Sequence, residues 1–276
     1  MWRGLFYPRG LAQRRELQYA ANIFNSIEIN SSFYSLKKPA DYEHWRDQAP
    51  SDFVYAVKGG RFITQMKKLR DVEIPLANFF ASGVLKLGEK LGPILWQFPK
   101  QLGFLPERFE RFLELLPCDI RQAAKLARHH DENVRGRTWI PARVRHNRAI
   151  RHAFETRHPS YVCDEFVAML HRHNVAWVFA DTAKQYPYAE DITADFVYVR
   201  LHGSTQLYAS RYTDDELAWW ARRIRIWLAG GEAADAIRCS HVEPASRTSR
   251  DVYVYFDNDA NAHAPFDAMR LREMLL

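Results

Sequence analysis

The sequence predicts an α/β protein, a TIM-type (β/α)8 barrel with one of its eight strands unaccounted for. Apolar runs rich in β-formers alternate with stretches whose apolar residues recur at helical spacing, an order typical of parallel strands joined by right-handed crossovers. The length of 276 residues agrees with the ~250 residues of one such barrel. Polar residues gather where the runs end, and barrel enzymes carry their active sites there. We therefore expect a single domain over residues 1–276, with a basic elaboration at about residues 119–151.

Seven runs are predicted to be strands, because they are short, β-branched or aromatic, and bounded by Gly, Pro or Asn. They begin near residues 27, 53, 94, 152, 177, 196 and 251. Helices are predicted over residues 11–24, 41–48, 74–92, 106–116, 121–129, 160–173, 213–230 and 264–275. Asp41 is predicted to cap the second of these helices, and Thr213 or Asp214 the seventh. The strand count is one short of a complete barrel.

The composition is that of a soluble globular protein, with 47% hydrophobic and 26% charged residues. Cys118, Cys163 and Cys239 are scattered without Cys-x-x-Cys spacing, which favours a reducing compartment, and we expect a cytoplasmic location. No apolar run approaches the ~18 residues of a membrane span, and the start has no signal-peptide core. No glycine-rich nucleotide fingerprint or P-loop appears, so no nucleotide cofactor is predicted.

Residues 196–203, Phe-Val-Tyr-Val-Arg-Leu-His-Gly, indicate a functional site. Side chains two apart share a face of a strand, so Arg200 and His202 project together from the end of an apolar run. Burying a cation and an imidazole there is costly unless they have partners or a ligand.

The other predicted strands also end in polar residues, and in a barrel these ends meet at one rim. The residues concerned are Glu28, Asn30, Lys58, Gln97, Glu155, Arg157, Asp181 and Asn258. A stable barrel needs none of them there, so we expect an active site of the hydrolase or lyase type.

Four residues are candidate catalytic groups: Glu28, Lys58, Glu155 and His202. Glu28 and Glu155 could flank a substrate as an acid and base pair, as hydrolysis of a glycosidic or ester bond requires. His202 is the alternative proton carrier, because its pKa normally lies near neutrality. Lys58 is expected to be a charge partner or, if desolvated, a nucleophile.

A small substrate bearing phosphate or carboxylate is expected, because arginine contacts such groups through two parallel hydrogen bonds and the formal net charge is +6. Nine residues are predicted to bind it: Asn30, Tyr34, Gln97, Arg157, His158, Asp181, Arg200, Tyr212 and Asn258.

Three alternatives stay open. The charged strand ends could neutralise one another as a purely structural network. Glu28, Glu155, Asp181 and His202 could hold a divalent metal, although neighbouring cations would oppose it, so no metal ligands are assigned. The basic segment 121–151 could bind nucleic acid through its phosphates, although such segments are more often solvated surface.

Several motifs resemble the YecE-like family, known as domain of unknown function 72. They are Trp2-Arg-Gly-Leu-Phe-Tyr-Pro8, Phe24-Asn-Ser-Ile-Glu-Ile-Asn30, Gly92-Pro-Ile-Leu-Trp-Gln-Phe-Pro99, Arg151-His-Ala-Phe-Glu-Thr-Arg-His158, residues 193–203 and Tyr255-Phe-Asp-Asn258. The resemblance implies a TIM-type barrel and no particular reaction. Members of that family normally begin with a strand carrying Gly-Thr-Ser-Gly-Trp. We therefore expect the first strand to be missing here, through a misplaced coding start or a barrel open between its second and eighth strands.

Overall fold

Parallel strands alternate with helices in the computed structural model, which describes residues 2–276. The chain divides into two compact units. The middle unit is Leu17–Ala153, and the terminal unit is the described part of Met1–Glu16 together with Phe154–Leu276. The fold is therefore mixed α/β with parallel sheets, as the alternation predicts.

In the middle unit, strands β1 (Ser26–Ile29), β2 (Val54–Lys58) and β3 (Leu91–Gln97) pair in parallel. The start of β4 (His152–Glu155) lies next to β3, because Ile94 N donates a hydrogen bond to the carbonyl of Arg151 at 2.8 Å. The helices are α1 (Glu16–Ile23), α2 (Ser31–Tyr34), α3 (Pro39–Gln48), α4 (Glu73–Ala81), α5 (Pro106–Leu115) and α6 (Ile120–Ala127). A π-helical turn spans Phe62–Met66, and 3-10 turns span Val84–Lys90 and Glu132–Val134.

Two of the helix boundaries that differ from the prediction have a clear local cause. The helix expected over residues 74–92 ends at Ala81, because Gly83 takes a left-handed conformation (φ 105°) and 3-10 turns follow. Asp41 is not the cap of α3: the helix begins at Pro39, and Asp41 accepts a hydrogen bond from Lys38 N at 2.8 Å from its third position. Proline is favoured at a first helical position, which moves the boundary forward.

The core of the middle unit includes the wholly buried indole of Trp96 on β3. Its ring packs edge-on against Phe112, and its Nε1 donates to His152 Nδ1 at 3.1 Å. Nε2 of His152 is 2.9 Å from the carbonyl of Pro117, so this network assigns the proton to Nε2. Burial lowers the pKa of His152 to about 4. A neutral, doubly hydrogen-bonded histidine therefore stabilises this core.

Gly59 allows the end of β2 to pass close to Trp96. A methyl group at residue 59 would overlap the indole ring, whereas one at Gly60 would meet no atom within 4 Å. We expect Gly59→Ala to lower the free energy of unfolding by about 1–3 kcal/mol, because a buried ring must move. Gly60→Ala, the matched control, should change it by less than about 1 kcal/mol. Urea denaturation measures both, and equal effects of the two substitutions would contradict this packing.

In the terminal unit, β6 (Phe179–Asp181), β7 (Phe196–Leu201) and β8 (Asp251–Phe256) pair in parallel. The helices are α7 (Asp164–Arg172), α8 (Asp214–Leu228) and α9 (His263–Leu275), with 3-10 turns at Gln13–Arg15 and Pro159–Tyr161. The strand predicted over residues 177–181 is divided into β5 (Ala176–Trp177), the neighbour of β4, and β6, the neighbour of β7.

Helix α8 covers one face of this sheet. It begins with a capping box, in which Thr213 Oγ1 accepts from Glu216 N and Glu216 Oε2 accepts from Thr213 N. Its buried Trp220 and Trp227 belong to the same hydrophobic core as Val199 of β7. The start of α8 is therefore held in place by capping and by packing.

Candidate functional site

Glu155 is a wholly buried carboxylate at the end of β4. Its Oε1 accepts hydrogen bonds from Arg157 Nε at 3.1 Å and Nη2 at 3.0 Å, and its Oε2 accepts one from Arg200 Nη1 at 2.6 Å. A buried charge is tolerated only when it is paired and hydrogen-bonded. Two guanidinium groups meet that requirement here.

Strand register brings a second carboxylate to Arg200 and His202. Leu201 of β7 is paired with Phe256 of β8, so the next residues, His202 and Asp257, are neighbours. Asp257 Oδ2 accepts from Arg200 Nη2 at 3.1 Å and lies 3.1 Å from His202 Nδ1. The predicted shared face of Arg200 and His202 is thus directed at two carboxylates.

The imidazole of His202 is wholly buried. Nε2 lies 3.7 Å from Glu155 Oε1, and Tyr208 packs edge-on against the ring with 5.4 Å between centroids. Nδ1 is close to Asp257, but the two groups are not aligned for a hydrogen bond. Within residues 2–276, Nδ1 of His202 has no hydrogen-bond partner. Tyr42 Oη, Thr64 Oγ1 and other buried atoms share this state, but on an imidazole between two carboxylates it calls for an explanation such as a catalytic role or a bound water.

These five residues, Glu155, Arg157, Arg200, His202 and Asp257, form what we call the Glu155 network. Its two guanidinium groups balance its two carboxylates, so a neutral His202 leaves it without net charge. The side chains of Asp257 and Arg157 retain 25% and 16% of their exposure, whereas Glu155 and Arg200 retain 1%. Contact with a ligand is therefore open to Arg157 and Asp257.

Asp181, at the end of β6, lies beside the network. Its carbonyl accepts from His202 N at 2.9 Å, and its Oδ2 accepts from Tyr212 Oη at 2.9 Å. Burial raises the pKa of Asp181 above the ordinary value for aspartate, although the hydrogen bond from Tyr212 opposes the shift. Tyr212 Oη also accepts from Gly203 N at 3.0 Å, which ties the end of β7 to this pair. A carboxyl group with a raised pKa in a cleft is a candidate proton carrier.

A cavity of about 590 Å³ opens next to Asp181. Aromatic side chains supply much of its wall: Tyr186, Tyr188, Tyr212, Trp219 and Trp220. The guanidinium of Arg157 lies 4.9 Å from the ring centroid of Tyr186, so the cavity adjoins the network. A concave, aromatic site with a few polar groups is typical of small-molecule binding sites. We call it the aromatic cavity.

The loops around this cavity contain left-handed backbone at residues other than glycine. Ala183 (φ 49°) and Lys184 (φ 61°) follow β6, and Tyr208 (φ 62°) follows β7. Such residues cost about 1–3 kcal/mol each and cluster at functional sites. Lys68, Leu69, Asp71, Asn174 and Ala262 share this backbone conformation outside the cavity, so it does not by itself mark the site.

Two predicted binding residues have structural contacts. His158 Nδ1 accepts from Ser160 N at 3.2 Å and thereby caps the Pro159–Tyr161 turn. Asn258 is wholly buried, and its Nδ2 donates to the carbonyl of Ser210 and to Asp267 Oδ2. Asn258 thus connects the loop after β7 to α9, and substrate binding by either residue stays a prediction.

The remaining candidates belong to the middle unit. Glu28, Lys58 and Gln97 lie at or near the C-terminal ends of the neighbouring strands β1, β2 and β3, as predicted. Glu28 is half-buried, Lys58 and Gln97 are buried, and Lys58 Nζ lies 4.5 Å from the ring centroid of Phe33.

Asn30 precedes the short helix α2, and Tyr34 is its last residue. Asn30 is exposed and precedes the helix without a capping hydrogen bond from its side chain. Tyr34 is exposed and stacks with the guanidinium of Arg61 at 5.6 Å. Binding roles for both stay predictions.

Three residues at the network were not among the predicted ones: its member Asp257, and Tyr208 and Tyr186, which contact Arg157. Asp257 has a signal in the sequence, since it directly follows the β8 run, beside Asn258. The two tyrosines lie in loops, where no periodicity in the sequence indicates which way a side chain points.

The basic segment 121–151 of the middle unit has nine Lys or Arg against two Asp or Glu, a formal +7 in a chain whose total is +6. It consists of most of α6 and a largely irregular stretch after it. Its exposed cations include Arg121, Lys125, Arg128, Arg143 and Arg145. The positive charge of the chain is therefore concentrated here.

Over residues 2–276, His, Cys, Asp and Glu side chains form no group of three or more placed to hold a metal ion. In the same part of the chain, no helix is both long and apolar enough to cross a membrane.

Solved structures with a similar fold come from two bacteria. A DUF72 family protein from Thermotoga maritima superposes with a TM-score of 0.73 at 22% identity, covering 99% of this chain and 94% of that one. A DUF72 family protein from Enterococcus faecalis gives 0.65 at 15% identity, covering 94% and 87%. At these identities the likeness shows the fold alone.

Sequence comparison identifies the family. The UPF0759 protein YecE of Escherichia coli strain K12 is 29% identical over 112 residues, which is 40% of this chain and 40% of YecE. The matched stretch thus spans less than half of that relative. The family model described as "Protein of unknown function DUF72" matches residues 1–276. The motifs spread along the sequence were therefore interpreted correctly, and the chain belongs to the DUF72 family.

Proposed function

We propose that this protein is an acid–base enzyme of the hydrolase or lyase type, whose site is the Glu155 network with the adjoining aromatic cavity. The observation that carries the proposal is the buried His202, held among two carboxylates with one ring nitrogen left without a hydrogen bond. Leucine or valine at a strand end would not have to be desolvated as a charge. The free-energy cost of burying these charges therefore favours a functional role for them.

In this proposal His202 moves the proton, since an imidazole nitrogen can accept a proton and donate it again. Asp257 and Glu155 stabilise the positive charge that His202 acquires when it accepts that proton, because each has an oxygen within 4 Å of one ring nitrogen. Asp181 is the second proton carrier, and Arg157 contacts a phosphate or carboxylate of the substrate. Glu28 and Lys58 keep the catalytic roles expected from the sequence as predictions.

The proposal includes two broader expectations. Parallel pairing within each unit and the likeness to DUF72 structures support closure of the strands into a TIM-type barrel. The three cysteines are free, which supports a cytoplasmic location.

The test is turnover of 4-nitrophenyl esters, phosphates and glycosides by the purified protein. We expect His202→Asn to lower kcat/KM by about 100-fold or more, because the proton carrier is lost. Asp257→Asn should lower kcat and shift the pH profile at temperatures where the variant is folded. His171→Asn on α7 is the matched control and should retain full activity.

Unchanged kcat/KM in both His202→Asn and Asp257→Asn would overturn the proposal. The second candidate function is nucleic-acid binding by the basic segment, favoured by its exposed cations. Tight binding of single-stranded DNA that falls steeply with salt, without turnover of any probe, would support it instead.

A further inference from the structure

The aromatic cavity carries an excess of negative charge. Apart from tyrosines, its ionisable lining groups are the carboxyl groups of Asp181, Asp215 and Glu216 and the amine of Lys184. Asp215 is exposed at the first turn of α8 and has no partner among residues 2–276. Glu216 uses one oxygen in the capping box, which leaves the other for a ligand. Three acidic groups against one basic group favour a cation.

The aromatic walls favour the same kind of ligand. The face of an aromatic ring is electron-rich and attracts ammonium and guanidinium groups. Two of these rings already hold cations of the protein: Arg223 lies 3.8 Å from the Trp219 centroid, and Arg157 lies 4.9 Å from that of Tyr186. Tyr188 and Trp220 add further aromatic surface around the same space.

We propose that the aromatic cavity binds an organic cation, an alkylammonium or quaternary ammonium group, through its rings and the carboxylates of Asp181, Asp215 and Glu216. The inference deepens the proposed function and rests on it for its place in a reaction. The substrate then carries a cationic group in the cavity and an anionic group at Arg157, whose side chain adjoins Tyr186. A zwitterionic small molecule meets both requirements.

Choline and its uncharged isostere 3,3-dimethylbutan-1-ol are matched probes, because they share shape and differ in charge. Titrated into the full chain and followed by tryptophan fluorescence and calorimetry, choline should bind about tenfold or more tightly than the isostere. Its affinity should fall with salt, since part of the attraction comes from exposed carboxylates.

A double variant, Asp215→Asn with Glu216→Gln, tests the carboxylates. Glutamine preserves the capping box, so the start of α8 stays intact. We expect choline affinity to fall by about tenfold or more. Glu273→Gln is the control, since it removes an exposed negative charge from α9 outside the cavity and should leave binding unchanged.

Equal affinities for choline and the isostere would overturn the inference, as would wild-type choline affinity in the double variant. These outcomes are separate from those of the proposed enzyme function. Choline binding that persists in a protein without turnover overturns only the acid–base role, and turnover without choline binding overturns only the cation site.

Discussion

Replacing Glu155 with alanine is expected to lower the free energy of unfolding by about 3–5 kcal/mol. The substitution leaves the guanidinium of Arg200, only 1% exposed, opposite a single remaining carboxylate. An uncompensated buried charge costs more than the lost hydrogen bonds. Chemical denaturation of wild type and variant measures the difference, and a loss below about 1 kcal/mol would contradict this description of the network.

A compensating variant separates structure from catalysis at the same position. Glu155→Leu combined with Arg200→Leu removes both buried charges, and we expect it to recover much of the lost stability. Turnover should stay lost, because His202 then lacks the carboxylate of Glu155, one of the two carboxylates beside its ring. Activity that returns together with stability would instead identify the network as purely structural.

Asp191 provides a matched control for a buried carboxylate outside the site. It is 1% exposed and accepts hydrogen bonds from Cys239 N and Ser240 N. We expect Asp191→Ala to lower stability and yet retain turnover at temperatures where the variant is folded.

Acidification from pH 6.5 to about 4 is expected to remove up to about 3 kcal/mol of stability through His152. The pKa is about 4 in the folded protein against 6.5 ordinarily, so in this window the unfolded chain binds a proton that the folded chain excludes. The contribution of neutral His152 to the free energy of unfolding is complete above pH 6.5 and is lost as the pH falls to about 4. Protonated Nδ1 could no longer accept the hydrogen bond from Trp96.

His152→Gln is the matched variant, since a glutamine amide can accept from Trp96 and donate to Pro117 without titrating. The stability difference between wild type and variant should shrink as the pH falls from 6.5 to 4. Asp259, whose pKa is raised to about 6 by burial and by Asp257, titrates in both proteins and cancels in the difference. Parallel pH dependences of the two proteins would disprove the role of His152.

Much of the terminal-unit site was predictable because strand geometry is local. Side chains alternate along a strand whatever its neighbours, so Glu155 with Arg157, and Arg200 with His202, could be assigned to shared faces from the sequence. The division of one predicted strand into β5 and β6 was not predictable, since it depends on which distant strand each part pairs with.

By itself, the sequence determined the family, the alternation of parallel strands and helices, and the polar residues at strand ends, because periodicity and motifs are properties of neighbouring residues. Only the tertiary structure decided which of those residues meet. The partnership of His202 with Asp257 depends on the register of β7 and β8. The cavity beside Asp181 depends on loop backbone conformations at Ala183 and Lys184. Register and loop conformation arise from contacts between distant segments, which no local pattern encodes.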